Sequence, residues 1–140
     1  MTFDPQGRSA APGRQERFHG SLVFPNLSKL AENPNGLKWE PFHPGVDIHW
    51  IYREENQGPS AALIRFRPGA SVPLHEHRGY EHIFILSGSQ SDENGQLNAG
   101  SLMVHQPGTR HSILSKEGCL VLAIYEKPPE FIGKKTASLS

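Results

Sequence analysis

Short apolar runs alternate with polar breaks along the chain. Residues 46–53 (VDIHWIYR), 61–66 (AALIRF), 81–86 (EHIFIL), 101–105 (SLMVH), 111–114 (HSIL) and 120–125 (LVLAIY) are rich in β-branched, aromatic and aliphatic side chains. Each run is too short for a helix and predicts a strand. The breaks carry turn signals: Pro68-Gly69, Asp92-Glu93-Asn94-Gly95 and Pro107-Gly108. Asn94-Gly95 suits a hairpin because both residue types accept the positive φ such turns use. A single segment, 27–32, predicts one or two helical turns, starting after Asn26 and stopped by Pro34. Strands that recur every roughly 8–12 residues predict an all-β sandwich or barrel.

The ends read differently. Residues 1–20 are mostly polar, with Pro, Gly, Ala and Arg, and predict a mobile arm. Residues 21–132 form the single expected domain, and 133–140 a frayed tail. No internal repeat is present, and 140 residues suffice to bury a core. The 14 Gly and 12 Pro are scattered between the apolar runs, which fits many turns and short strands.

Charge narrows the partners. Fourteen basic and fourteen acidic residues cancel, so nothing points to nucleic acid or an anionic membrane surface. No window holds about 18 apolar residues, so no membrane helix is expected. Residues 1–17 have no apolar run that would read as a secretory signal, so a cytoplasmic location is expected. Cys119 is the only cysteine, which excludes an intrachain disulfide and a Cys-rich zinc module.

The candidate chemistry lies in the middle of the chain, in the pattern Gly69-x5-His75-x-His77-x3-Glu81-x6-Gly88. Side chains two apart on a strand share a face, so His75 and His77 can reach one point. A bend at Gly79 can bring Glu81 to the same point. Downstream, Gly100-x7-Gly108-x2-His111 can deliver a fourth ligand from a neighbouring strand. Three imidazoles and a carboxylate suit one divalent transition metal ion such as Fe, Mn, Ni, Cu or Zn, and the sequence does not choose among them. In an octahedral shell, four protein ligands leave two positions for water, substrate or dioxygen.

These two patterns resemble the first and second cupin motifs. Gln106 stands where the second motif usually begins with proline, and Ser115 where Asn is common; neither is a ligand position. The likeness spans roughly 37–127. Around the motifs, Leu37-Lys38-Trp39, Pro44-Gly45-Val46, Arg67-Pro68-Gly69-Ala70, 106–111 and Glu117-Gly118-Cys119 are most similar to the ChrR-type branch. The resemblance implies a double-stranded β-helix, the jelly-roll barrel of RmlC-like proteins, and a homodimer. One member type carries a zinc-binding anti-sigma domain, and no such domain is expected here. The branch also resembles acetylacetone-dioxygenase-like proteins, which usually use three histidines without a Glu at the position of Glu81.

Alternation from Glu81 points Ile83 and Ile85 inward as an apolar floor, and His82, Phe84 and Leu86 outward. An outward Phe-Leu pair wants cover, from residues 22–30 or from a second copy of the chain. Glu81 and Tyr80 are the candidate catalytic residues: a carboxylate that can act as a base, and a hydroxyl that can donate a proton. Arg65 is either a fork for a substrate carboxylate or a strand-edge charge. His105 either lines the pocket or is exposed on its strand. Cys119 reads as a small buried residue, and His19 and His43 have no ligand-like spacing.

Three functions remain open. One is a metal-dependent enzyme on a small enolisable or oxygen-chelating substrate: a dioxygenase, or an isomerase or lyase. Another is a non-enzymatic sensor whose metal site alters a surface offered to a partner. The third is a metal that only staples the barrel. No Ser-His-Asp or Cys-His pattern for covalent catalysis is present.

Overall fold

In the computed structural model the described residues are 16–18 and 20–133, without the side chains of 16–18. The chain divides into two units, 1–39 and 40–140.

In the first unit, β1 (Glu16–Phe18) pairs antiparallel with β2 (Ser21–Val23). The predicted arm of 1–20 thus contains a paired strand at its end; residues 1–15 and His19 lie outside the description. The predicted helical segment is a 3-10 turn, Leu27–Lys29, shorter than 27–32. Pro34 starts a second 3-10 turn, Pro34–Gly36, because its fixed φ suits a first helical position.

The second unit is a ten-stranded curled antiparallel sheet, the all-β architecture that the strand pattern predicts. Its strands are β3 (Glu40–His43), β4 (Val46–Arg53), β5 (Ser60–Phe66), β6 (Ala70–Glu76), β7 (Glu81–Asp92), β8 (Gly95–Asn98), β9 (Leu102–His105), β10 (Arg110–Ser115), β11 (Cys119–Tyr125) and β12 (Glu130–Phe131). The order across the sheet is β12-β6-β10-β7-β11-β5-β4-β3, with β8 and β9 both pairing with β7. Each predicted run lies in a strand, with ends moved by at most a residue except in β7. β7 is twice the expected length and pairs with β8, β9, β10 and β11.

The concave side holds one core of Val46, Ile48, Ala62, Ile64, Phe66, Val72, Ile83, Ile85, Ile113, Cys119, Val121, Ala123 and Tyr125. Ile83 and Ile85 point inward and His82 and Phe84 outward, as alternation requires, while Leu86 is half-buried. Cys119 is buried beside Gln90, and burial pushes its thiol up, so it behaves as a small apolar residue.

The β7–β8 hairpin turns at Glu93-Asn94, as expected, but only Gly95 takes a positive φ. The Asn94 N–H donates to Asp92 Oδ1 at 2.7 Å, an Asx turn. Gly88 (φ +74) lies against the backbone of Gly118: a Cβ there would fall 2.0 Å from the Gly118 carbonyl oxygen. Among the described residues, no helix is long and apolar enough to cross a membrane.

Candidate metal centre

His75 lies on β6, opposite His111 on β10. His77 follows the end of β6 and is held there by backbone bonds: its N–H donates to the Thr109 carbonyl (2.9 Å) and its carbonyl accepts from Gly108 N–H (2.8 Å). Glu81 begins β7. The bend between them passes Gly79, whose φ is ordinary. A Cβ at Gly79 would lie 2.9 Å from Glu126 Oε1, which already accepts the Tyr80 N–H (2.9 Å). Close packing, rather than backbone freedom, is what requires glycine there.

One potential ligand atom from each of His75, His77, Glu81 and His111 lies within 4.8 Å of the other three, and all four residues are buried. Their far nitrogens explain the arrangement. His75 Nδ1 faces the Pro73 carbonyl at 2.8 Å. His77 Nδ1 faces the Thr109 carbonyl (3.1 Å) and hydroxyl (2.9 Å), and that hydroxyl donates its own proton to the Gln106 carbonyl (2.7 Å). His111 Nδ1 lies 2.9 Å from Asp92 Oδ2. Every such partner is an acceptor, so in each neutral ring the proton sits on Nδ1 and Nε2 keeps a bare lone pair.

His77 Nε2, His111 Nε2 and Glu81 Oε1 are buried without a hydrogen-bond partner. His77 Nε2 and Glu81 Oε1 are 2.5 Å apart, yet the approach lacks hydrogen-bond geometry. Several buried acceptors turned toward one point are costly unless a cation satisfies them together. The four residues therefore fit a metal ion. Burial, opposed in part by the Pro73 bond, pushes His75 below its ordinary value, which keeps the ring in its ligating neutral form. Burial alone would raise the Asp92 carboxyl; the hydrogen bonds from His111 and Asn94 outweigh it and hold Asp92 low, as an anion against the His111 ring.

A cavity beside the centre is lined by His75, Glu81 and Tyr125 at its polar end, by Gln90, and otherwise by apolar side chains including Ile64, Phe66, Val72, Ile83, Ile113 and Phe131. No Lys or Arg lines it. Its volume is ≈ 20 Å³, room for about one water centre. Tyr125 stands opposite Glu81 in the β7–β11 register, so its phenol faces that carboxylate. Burial first, then that carboxylate, pushes the phenol well above its usual range, so Tyr125 remains a proton donor.

The other candidates are placed apart from this cavity. Tyr80 is 48% exposed and lines an outer groove with Tyr52, His82, Val104 and Ile124. Its turn, pinned by Glu126, aims the ring away from the cavity. Arg65 faces its cross-strand neighbour Asp47 at 2.9 Å, as a partly exposed strand charge. His105 is half-buried and stacks on His77 (centroids 4.2 Å, 11° between planes) with its edge toward His111 (4.3 Å). Burial, then those two rings, pushes His105 down to about 4. It packs behind the ligands and does not line the cavity. His43 lies at the barrel edge, its ring 5.1 Å from Phe131. Sequence reasoning missed Asp92, Thr109 and Tyr125.

The sequence profile of the ChrR cupin-like domain matches residues 28–127. The chain belongs to the ChrR cupin-like family. Solved structures give the same fold. An RmlC-like cupin from Ralstonia eutropha JMP134 is 23% identical (TM-score 0.61), over 69% of this chain and 68% of that one. A chain of the Rhodobacter sphaeroides complex of SigE with the anti-sigma ChrR is 23% identical (TM-score 0.62), with 74% of this cupin covering 57% of that chain. An acetylacetone dioxygenase from Acinetobacter johnsonii is 18% identical (TM-score 0.63), over 69% and 72%. No curated protein sequence matches. At these identities the likeness concerns the cupin fold alone.

Proposed function

We propose that this cupin is a mononuclear metal-dependent enzyme, dioxygenase-like, acting on a small enolisable or oxygen-chelating organic molecule. His75, His77, Glu81 and His111 hold one divalent transition metal ion, Fe, Mn, Ni or Zn. The observation that carries this reading is the buried, partnerless His77 Nε2, His111 Nε2 and Glu81 Oε1, gathered with His75 while the far nitrogen of each histidine is satisfied. When bound, the ion supplies Lewis acidity and, if it is iron, a site for dioxygen chemistry.

The residues do the rest. The apolar walls accept the carbon body of a substrate and exclude water. Tyr125 presents a single phenol O–H at the polar end, and Glu81 opposite it is the candidate base. The experiment is elemental analysis of untagged protein, with oxygen uptake measured on diketones and enolisable acids after anaerobic Fe(II) loading. Near one iron per chain with uptake supports the dioxygenase. Tightly held metal without uptake sinks it and moves the weight to isomerase or lyase chemistry, or to the sensor.

One observation favours a second reading, a non-enzymatic regulatory cupin. The outer face of β9, β7 and β11 exposes Leu102 (61%) in register with Phe84 (36%), and Val104 (46%) and Ile124 (40%) on either side of His82. The likeness to a chain of the SigE–ChrR complex gives such a face a use. Under the enzyme reading, this face is our proposed homodimer contact.

A further inference from the structure

The main strand path of the curled sheet ends at β3 and β12, which are not hydrogen-bonded to one another. They meet through rings instead: His43 of β3 lies 5.1 Å from Phe131 of β12, and Phe42 lies 4.4 Å from His43. The cavity opens at this seam. Every residue that lines it is buried except Phe42, Pro129 and Phe131. Register sets Phe131 opposite His75, with ring centroids 5.3 Å apart, so Phe131 stands between solvent and a ligand imidazole.

Size makes this position matter. Space of ≈ 20 Å³ suits about one water and no organic substrate. Some wall must give way to admit one. Most lining residues sit inside long ladders whose loss would open the core. β12 is two residues long, with register pairs Glu130↔Glu76 and Phe131↔His75 and one further bond, Ile132 N–H to the Leu74 carbonyl (3.0 Å). Its ion pair, Arg78–Glu130 at 2.8 Å, is over half exposed on both sides and adds little. β12 is the wall that costs least to displace.

We infer that Phe131 is a specificity-determining residue: carried on the weakly held edge strand β12, it closes the seam against Phe42 and sets which molecules reach the metal site. This rests on the metal-binding reading above. In the closed form the cavity admits water or a small anion. An organic chelator enters only when β12 swings away, so its apparent binding is reduced by the open fraction.

The test uses full-length protein loaded with Co(II), whose visible spectrum reports added ligands. Association of azide and of acetylacetone is followed by stopped flow in the wild type, Phe131→Leu and Phe131→Ala. If the open state is a minor population, Phe131→Ala raises the acetylacetone rate about tenfold or more. Phe131→Leu falls between, azide changes little, and Co(II) affinity stays constant. An unchanged acetylacetone rate overturns the gate. So does a fall in Co(II) affinity that parallels the rate, since Phe131 would then only support His75. If Phe131→Ala does not fold, Phe131→Leu against wild type decides the matter by the same criteria. A wild type that takes up no Co(II) refutes the metal-binding reading itself, and the gate with it.

Discussion

The ligand histidines work because each has its far nitrogen tied down. Asp92 does most for His111: a buried carboxylate fixes the tautomer and makes Nε2 a better electron donor. Asp92→Asn keeps the shape but can turn a donor toward the ring. It should weaken metal binding about 10–100-fold with the fold intact, measured by competition against a chromogenic chelator. An unchanged affinity would remove Asp92 from the account. Tyr125→Phe removes the phenol that faces Glu81 while keeping the packing. It should leave metal stoichiometry unchanged and lower turnover on any substrate found, as steady-state kinetics would show. Equal turnover would leave Tyr125 a packing residue. The ligands were legible because their spacing is local, His-x-His and then Glu four on. Asp92, Thr109 and Tyr125 were not. Asp92 looks like a turn residue, which it also is, and its reach to His111 depends on how β7 lies beside β10. Tyr125 meets Glu81 only through a register set 44 positions away in the chain.

At the level of elements, periodicity recovered the strands that are apolar and central, β4, β5, β7, β9, β10 and β11. Of the strands it missed, three carry or follow proline. β3 contains Pro41, β6 contains Pro73, and β12 follows Pro128-Pro129. Proline is tolerated where no ladder N–H is needed, so the end strands β3 and β12 look like loops in the sequence. Pro73 also has a use, since its carbonyl orients His75. The same logic makes Gly88 a strong structural requirement. Gly88→Ala combines a left-handed φ with a Cβ 2.0 Å from the Gly118 oxygen. It should destabilise the protein by at least about 1–3 kcal/mol in denaturant titration, the usual cost of such strain. A change within a few tenths would mean the β7–β11 approach relaxes freely.

For the whole molecule, the buried ligand cluster couples metal binding to folding. Three neutral imidazoles and a carboxylate held together without a cation are a local cost, which the bound ion converts to stabilisation. Ligand at about 100 times its Kd should add about 2.7 kcal/mol, visible as a higher melting temperature that falls on chelation. The outward apolar face carries its own expectation. Light scattering should give a dimer, and Leu102→Glu with Val104→Glu should give a folded monomer. A monomeric wild type would leave that face for another partner.

The most direct measurement is the metal content of untagged protein, wild type beside His77→Ala, with the fold of each checked by circular dichroism. The account predicts close to one divalent transition metal per wild-type chain and loss of stoichiometric metal in a folded His77→Ala. One metal per chain in the variant, bound with unchanged affinity, would contradict it, because the ligand set proposed for this cupin would then be wrong.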